Sequence, residues 1–200
     1  MSILDRQKSL NVNNKQSITV IGAGGVGYWV VKFAAMAGIK RIYVFDPDTF
    51  EEHNLNRIDI SYKFLGKNKA DVIRDIINRL RPEASIFSFP YKYSKTLSTD
   101  TDWVVDCTDN YKSQLKNQEI AKLIGSKYFK PGYDGDKFSV NNVVAEWGEV
   151  EDGYQVTPSW VVPAVIVAAI SVAKIMKYYG YETSGSIEEL FKYKGNYKNG

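Results

Sequence analysis

The chain is poor in the residues that build covalent or metal-held scaffolds. It has one cysteine, Cys107, so no internal disulfide can form and a structural zinc site made of cysteines alone is excluded. Its one histidine, His53, stands between Glu52 and Asn54, where a surface position accounts for it, and it is given no catalytic role. Neither sign of charge dominates: 26 lysines and arginines against 23 aspartates and glutamates leave a net +3, too little by itself to indicate nucleic acid. Long apolar runs are missing. The longest, Trp160 to Ala173, is shorter than the roughly 20 residues needed to cross a bilayer. Residues 1–16 are polar and carry no apolar signal core. These absences predict a soluble, cytoplasmic protein.

What remains is ordinary globular composition, 44% hydrophobic and 24% charged over 200 residues, enough for one α/β domain with a substantial core. Neither repeats nor an interdomain linker interrupt it, so residues 1–200 read as a single domain. Residues 191–200, basic, aromatic and glycine-bearing, read as a flexible tail.

Residues 18–57 organise the rest. Ile18 to Ile21 is an apolar run of the kind that forms a buried strand. Glycines follow at 22, 24, 25 and 27. A helical pattern then runs from Tyr28 to Ala37 and stops at Gly38, and a second apolar run, Ile42 to Phe45, ends at Asp46. Strand, glycine turn, helix and strand with an acid at its tip is the arrangement of a nucleotide site. Glycines let the backbone approach phosphates, the helix start offers unpaired N–H groups, and the acid accepts from ribose hydroxyls.

A glycine loop alone suits a dinucleotide as well as ATP. Four further motifs follow it in order: Asp46-Pro47-Asp48, Asn54-Leu55-Asn56-Arg57-Ile58, Gly66-Lys67-Asn68-Lys69 and Cys107-Thr108-Asp109-Asn110. With Gly22-Ala23-Gly24-Gly25-Val26-Gly27, they resemble the nucleotide-binding region of the ubiquitin-activating-enzyme superfamily, the ThiF/MoeB/HesA type, and the likeness extends more loosely to about residue 180. The resemblance implies a Rossmann-like, mostly parallel sheet with helices on both faces and antiparallel strands in the C-terminal part. It implies ATP-dependent adenylation of a carboxylate. The usual acceptor is the C-terminal glycine of a small ubiquitin-fold or sulfur-carrier protein.

The same resemblance assigns roles. Gly22, Gly24, Gly25 and Gly27 line the phosphates, Asp46 holds the ribose with Asp48 beside it, and Asn54, Arg57 and Lys69 contact the phosphates. Asp109 binds Mg²⁺ beside Asn110. Asp5-Arg6-Gln7 resembles a segment whose arginine reaches across a homodimer to the partner's ATP; a solvated terminal arginine accounts for Arg6 equally well. Two departures stand out. Ile58 replaces the usual glutamine, and the cysteines that carry thioester chemistry or bind zinc in the family are missing.

The remaining chain reads as alternating elements. Gly66 to Leu80 places Ala70, Ile73, Ile76, Ile77 and Leu80 on one helical face. Ala84 to Phe89 and Asp102 to Asp106 are strands, Tyr111 to Ile124 a helix, and Lys127 to Lys130 a fifth strand before a turn at Gly132 to Gly135. Ser139 to Trp147 and Tyr154 to Val156 suggest antiparallel strands joined at Glu149 to Gly153. Pro163 begins a helix through about Tyr179, apolar nearly all round, read as buried or as a dimer contact. Three other functions compete: adenylation of a small-molecule or tRNA-borne carboxylate, a non-catalytic nucleotide-binding subunit, and an NAD dehydrogenase, which leaves the NLNR and CTDN stretches unexplained.

Overall fold

The computed structural model describes residues 2–144 and 158–192. Strand β1 (Ser17–Ile21) is buried along its whole length, as a strand covered on both faces must be, and this is why its sequence does not alternate. The chain then passes through α1 (Gly25–Met36), β2 (Arg41–Phe45), α2 (Lys69–Leu80), β3 (Ser85–Phe89), β4 (Trp103–Asp106) and α3 (Tyr111–Leu123). After β5 (Lys127–Asp134) come β6 (Lys137–Asn141), α4 (Val161–Met176), β7 (Thr183–Ser186) and the short α5 (Ile187–Phe191). One seven-stranded sheet results, ordered β3-β2-β1-β4-β5-β6-β7, with β1 to β5 parallel and β6 and β7 antiparallel. Helices α1, α2 and α4 bury their apolar faces in the larger core on one face of the sheet. On the other face α3 covers a smaller core through Ile120 and Ala121. The strand order reverses between β1 and β4, the place where open α/β sheets bind ligands at their carboxyl ends.

The expected elements appear with shifted edges. Helix α2 begins at Lys69 rather than Gly66: Gly66 is left-handed at φ +76°, and Asn68 caps the helix by accepting the Asp71 N–H at 3.1 Å. β5 continues through the expected turn at Gly132 and reverses at Gly135 instead. α4 starts two residues before Pro163, and β7 and α5 were not foreseen. The expected turn at Glu149 to Gly153, the strand at Tyr154 to Val156, the end of the stretch to Trp147 and residues 193–200 of the expected tail lie outside the described residues. Among the described residues, no helix is long and apolar enough to cross a membrane.

Candidate active site

The glycine loop joins β1 to α1. Gly22 turns at φ +85°, its N–H donates to the Phe45 carbonyl at 2.8 Å, and a Cβ placed on it would lie 3.0 Å from the Cys107 carbonyl oxygen. The loop and the start of the CTDN turn therefore meet backbone to backbone. A Cβ on Gly27 would lie only 1.9 Å from the Gly22 carbonyl oxygen, so this glycine lets the helix close on the loop. Among the described residues, a Cβ on Gly24 would meet nothing within 4 Å. Gly24 is the N-cap of α1 and supplies no side-chain acceptor, which leaves the first N–H groups of the helix without a capping side chain. Open space before an uncapped helix start is a ready anion site.

Asp46, at the tip of β2, is 4% exposed and accepts the Ala23 N–H at 2.6 Å on one oxygen and the Asp48 N–H at 2.8 Å on the other. Burial lifts its carboxyl above the ordinary range against the pull of these two amides. Each oxygen keeps a second lone pair for a ribose hydroxyl. Asn68 donates its amide to the carbonyls of Asp46 at 2.9 Å and Asp48 at 3.1 Å, and the Lys69 N–H donates to the Asp48 carbonyl at 2.9 Å. The Lys69 ammonium, 13% exposed, stands 3.4 Å from an Asp48 carboxylate oxygen. The acid pair and the lysine of the GKNK stretch are thereby one rigid unit. Asn68, which sequence reasoning left out, holds it together.

Asn54 is buried, and its side-chain oxygen accepts the Glu51 N–H at 3.0 Å, so it serves the turn it sits in. Arg57 reaches the loop. A Cβ on Gly25 would lie 2.9 Å from Arg57 Cδ and 3.0 Å from the Tyr133 hydroxyl. Arg57 Nη1 donates to the His53 carbonyl and to Asn56 Oδ1, both at 2.8 Å. Among the described residues Arg57 has no carboxylate partner. Ile58 points away from this chemistry, 4% exposed in the larger core.

The CTDN turn hangs from Asp106, which is fully buried. One of its oxygens accepts the Thr108 N–H at 3.1 Å and the Thr108 hydroxyl at 2.7 Å. The other accepts Asn117 Nδ2 at 3.0 Å and the Tyr128 hydroxyl at 2.9 Å. Burial raises its carboxyl above the ordinary range even so. Burial, with Asp106 beside it, pushes the Cys107 thiol well up, which disfavours the thiolate a nucleophile needs. Asp109 is exposed, while the α3 cap is Asn110, whose side chain accepts the Ser113 N–H at 2.9 Å. Arg6 is exposed in a 3₁₀ helix, Asp5–Leu10, whose Gln7 side chain donates to the Ala37 carbonyl at 2.8 Å, at the far end of α1 from the glycine loop. Within one chain it is not brought to the site.

Among the described residues, these fit a nucleoside triphosphate: open space at Gly24, helix N–H groups without a capping side chain, an arginine without an acid and a lysine beside an acid pair. Among the described residues no group of three or more His, Cys, Asp or Glu could hold a metal ion. Asp109 alone fits Mg²⁺ only in the way that ion is held with nucleotides, by one or two carboxylates together with phosphate oxygens and water.

The model of the ThiF family matches residues 3–145. The chain is 32% identical over 114 residues to the adenylyltransferase and sulfurtransferase UBA4 of Kluyveromyces lactis, covering 54% of this chain and 26% of that protein. It is 34% identical over 103 residues to the tRNA threonylcarbamoyladenosine dehydratase of Haemophilus influenzae, covering 48% and 40%. It thus spans well under half the length of these relatives. Among solved structures, that of E. coli MccB with ATP superposes with a TM-score of 0.73 at 19% identity, over 86% of this chain and 63% of that one. PaaA superposes at 0.67 with 21% identity, over 87% and 64%. Those likenesses establish a shared fold; the family match over most of the sequence establishes descent, and this chain belongs to the ThiF family.

Proposed function

We propose that this chain is an ATP-dependent adenylating enzyme. The observation that carries the reading is Arg57, a cation without an acidic partner among the described residues, held against a glycine loop whose helix start is open at Gly24. An acceptor carboxylate oxygen attacks the α-phosphorus, the bond to the bridging oxygen of the β-phosphate breaks, and pyrophosphate leaves with that electron pair. The protein's part is positioning and neutralisation of charge. Gly22 to Gly27 line the phosphates, with backbone N–H groups offered from Gly24 onward, Asp46 accepts from the ribose, and Arg57 and Lys69 balance the leaving pyrophosphate. Asp109 would hold Mg²⁺, which adds charge neutralisation at the phosphates.

For the acceptor we infer the C-terminal glycine of a small ubiquitin-fold or sulfur-carrier protein. The Haemophilus relative supports a second reading, a tRNA-borne carboxylate. With its only thiol held protonated, the chain releases an acyl-adenylate rather than forming a thioester. We also infer a homodimer through α4, whose exposed or half-exposed Val161, Val162, Val165, Ala169 and Ala173 are as apolar as its buried side. Arg6 would then act in the partner's site. ATP–pyrophosphate exchange, measured without acceptor and with carrier proteins, with tRNA and with peptides, tests the reading. Exchange stimulated by a carrier ending in glycine supports it, stimulation by tRNA alone selects the second acceptor, and no exchange with any of them refutes adenylation.

A further inference from the structure

We propose that Asn56, Ser159 and Tyr133 are positioning residues that aim Arg57 at the glycine loop and fasten the chain entering α4 across it. The inference rests on the adenylation reading of the site. Three remote stretches of sequence meet here. Asn56 Oδ1 accepts from Arg57 Nη1 at 2.8 Å, and Asn56 Nδ2 donates to the Ser159 carbonyl at 2.7 Å. The two ends of one amide are thus used in opposite senses, and reversing it would set donor against donor and acceptor against acceptor. Ser159 Oγ shares a 2.5 Å hydrogen bond with the Tyr133 hydroxyl. Tyr133 stands on β5, which pairs with its neighbours along its length, and its hydroxyl closes on the same point at Gly25 that Arg57 Cδ reaches, 3.0 Å and 2.9 Å from where a Cβ would stand. Pro158, one residue earlier, is tied to the same corner through its carbonyl, which accepts the Gly135 N–H at 3.0 Å.

The chemistry of this chain of bonds is neutral throughout. Among the described residues, Arg57 is oriented by an amide and a backbone carbonyl, not by a carboxylate. Its full charge stays available to an anion, whereas an acidic partner would quench it. The stretch at 158–160 is fixed to the loop by a serine and a tyrosine, so its placement and the aim of Arg57 depend on each other. A residue in contact with substrate is not needed for this role.

The test uses the full chain and Mg²⁺–ATP as titrant, with the salt dependence of Kd and the unfolding midpoint as companion readouts. Asn56→Asp keeps the size of the side chain but puts a carboxylate on Arg57. It should weaken ATP by roughly ten- to a hundredfold, the range for a bond to a charged group, and flatten the rise of Kd with salt because one cation is neutralised. Tyr133→Phe and Ser159→Ala should each weaken ATP by about three- to tenfold, the range for one net hydrogen bond. The double variant should be no worse than either, because both break the same link. Wild-type affinity in all three variants overturns the inference, as does additive loss in the double variant or weakening that tracks a lowered unfolding midpoint with the salt dependence unchanged. Wild-type protein that binds no ATP overturns the nucleotide reading itself.

Discussion

The glycine loop makes a prediction with opposite signs at neighbouring positions. At Gly27 an added Cβ lies 1.9 Å from the Gly22 carbonyl oxygen and 2.9 Å from its carbon. Both are backbone atoms of a tight turn, so relief requires α1 and the loop to separate by about an ångström. Overpacking of this kind costs about 1–3 kcal/mol when side chains can move, and here they cannot, so Gly27→Ala should lose about 3 kcal/mol or more. For a chain of 200 residues that corresponds to a fall of about 6–12 °C in the unfolding midpoint. At Gly24 the Cβ meets nothing among the described residues within 4 Å, and φ is −79°, which any residue adopts. The loss of a tolerated N-cap glycine and the gain from a stiffer unfolded chain are each below about 1 kcal/mol and nearly cancel. Gly24→Ala should therefore leave the midpoint within about 2 °C while weakening ATP by tenfold or more, since the methyl occupies the space offered to phosphate. Scanning calorimetry and ATP titration of both variants read this out. A stable Gly27→Ala protein, or a Gly24→Ala protein that binds ATP as well as wild type, would refute the reasoning.

Three further outcomes follow from buried polar groups and from the proposed dimer. Tyr93 has a buried hydroxyl with no hydrogen-bond partner among the described residues, and burial next to Asp106 pushes it up to about 12. Tyr93→Phe should be neutral or stabilising by up to about 1 kcal/mol, whereas Tyr128→Phe, which strips a donor from buried Asp106, should cost about 1–3 kcal/mol; urea unfolding of the pair decides it, and equal effects would contradict it. Burial raises the folded value of Asp46 above its ordinary 3.8, so its contribution to stability is fully present below about that pH and is lost as pH rises through the folded value. Urea midpoints should therefore decline less steeply with rising pH above about 4 in Asp46→Asn than in wild type, and identical slopes would remove the effect. If Arg6 acts across the α4 dimer, mixing inactive Arg6→Ala and Asp109→Ala chains should restore part of the exchange activity, while a strict monomer in sedimentation would end that idea.

The parallel half of the fold was legible because its strands are covered on both faces and show as unbroken apolar runs, Ile18 to Ile21 and Ile42 to Phe45, while α2 shows its period plainly. The C-terminal half was harder to read. A turn is expected at Gly132 to Gly135, yet β5 carries Pro131 and Gly132, because pairing with β4 ends at Phe129 and the missing proline N–H costs no bond on that side. Pro163 marked the start of α4 only to within a turn, since each of the first N–H groups of a helix lacks an intrahelical acceptor and a proline is tolerated at any of them. In the candidate site, Asn54 and Asn110 bond their own turns, a role that the composition of a loop cannot separate from contact with a ligand. Tyr133 and Ser159 gave no local signal at all. Their placement against Gly25 and Asn56 is a tertiary fact, created when β5 and the start of α4 arrive at the same corner.

The most direct test of the nucleotide site is calorimetric titration of the full chain with Mg²⁺–ATP and, separately, with NAD. The expected result is saturable binding of ATP, one per chain, that is lost or greatly weakened in Arg57→Ala with the unfolding midpoint unchanged, and no binding of NAD. Saturable binding of NAD without binding of ATP would contradict the reading of the glycine loop, Arg57, Lys69 and Asp109 as an adenylation site.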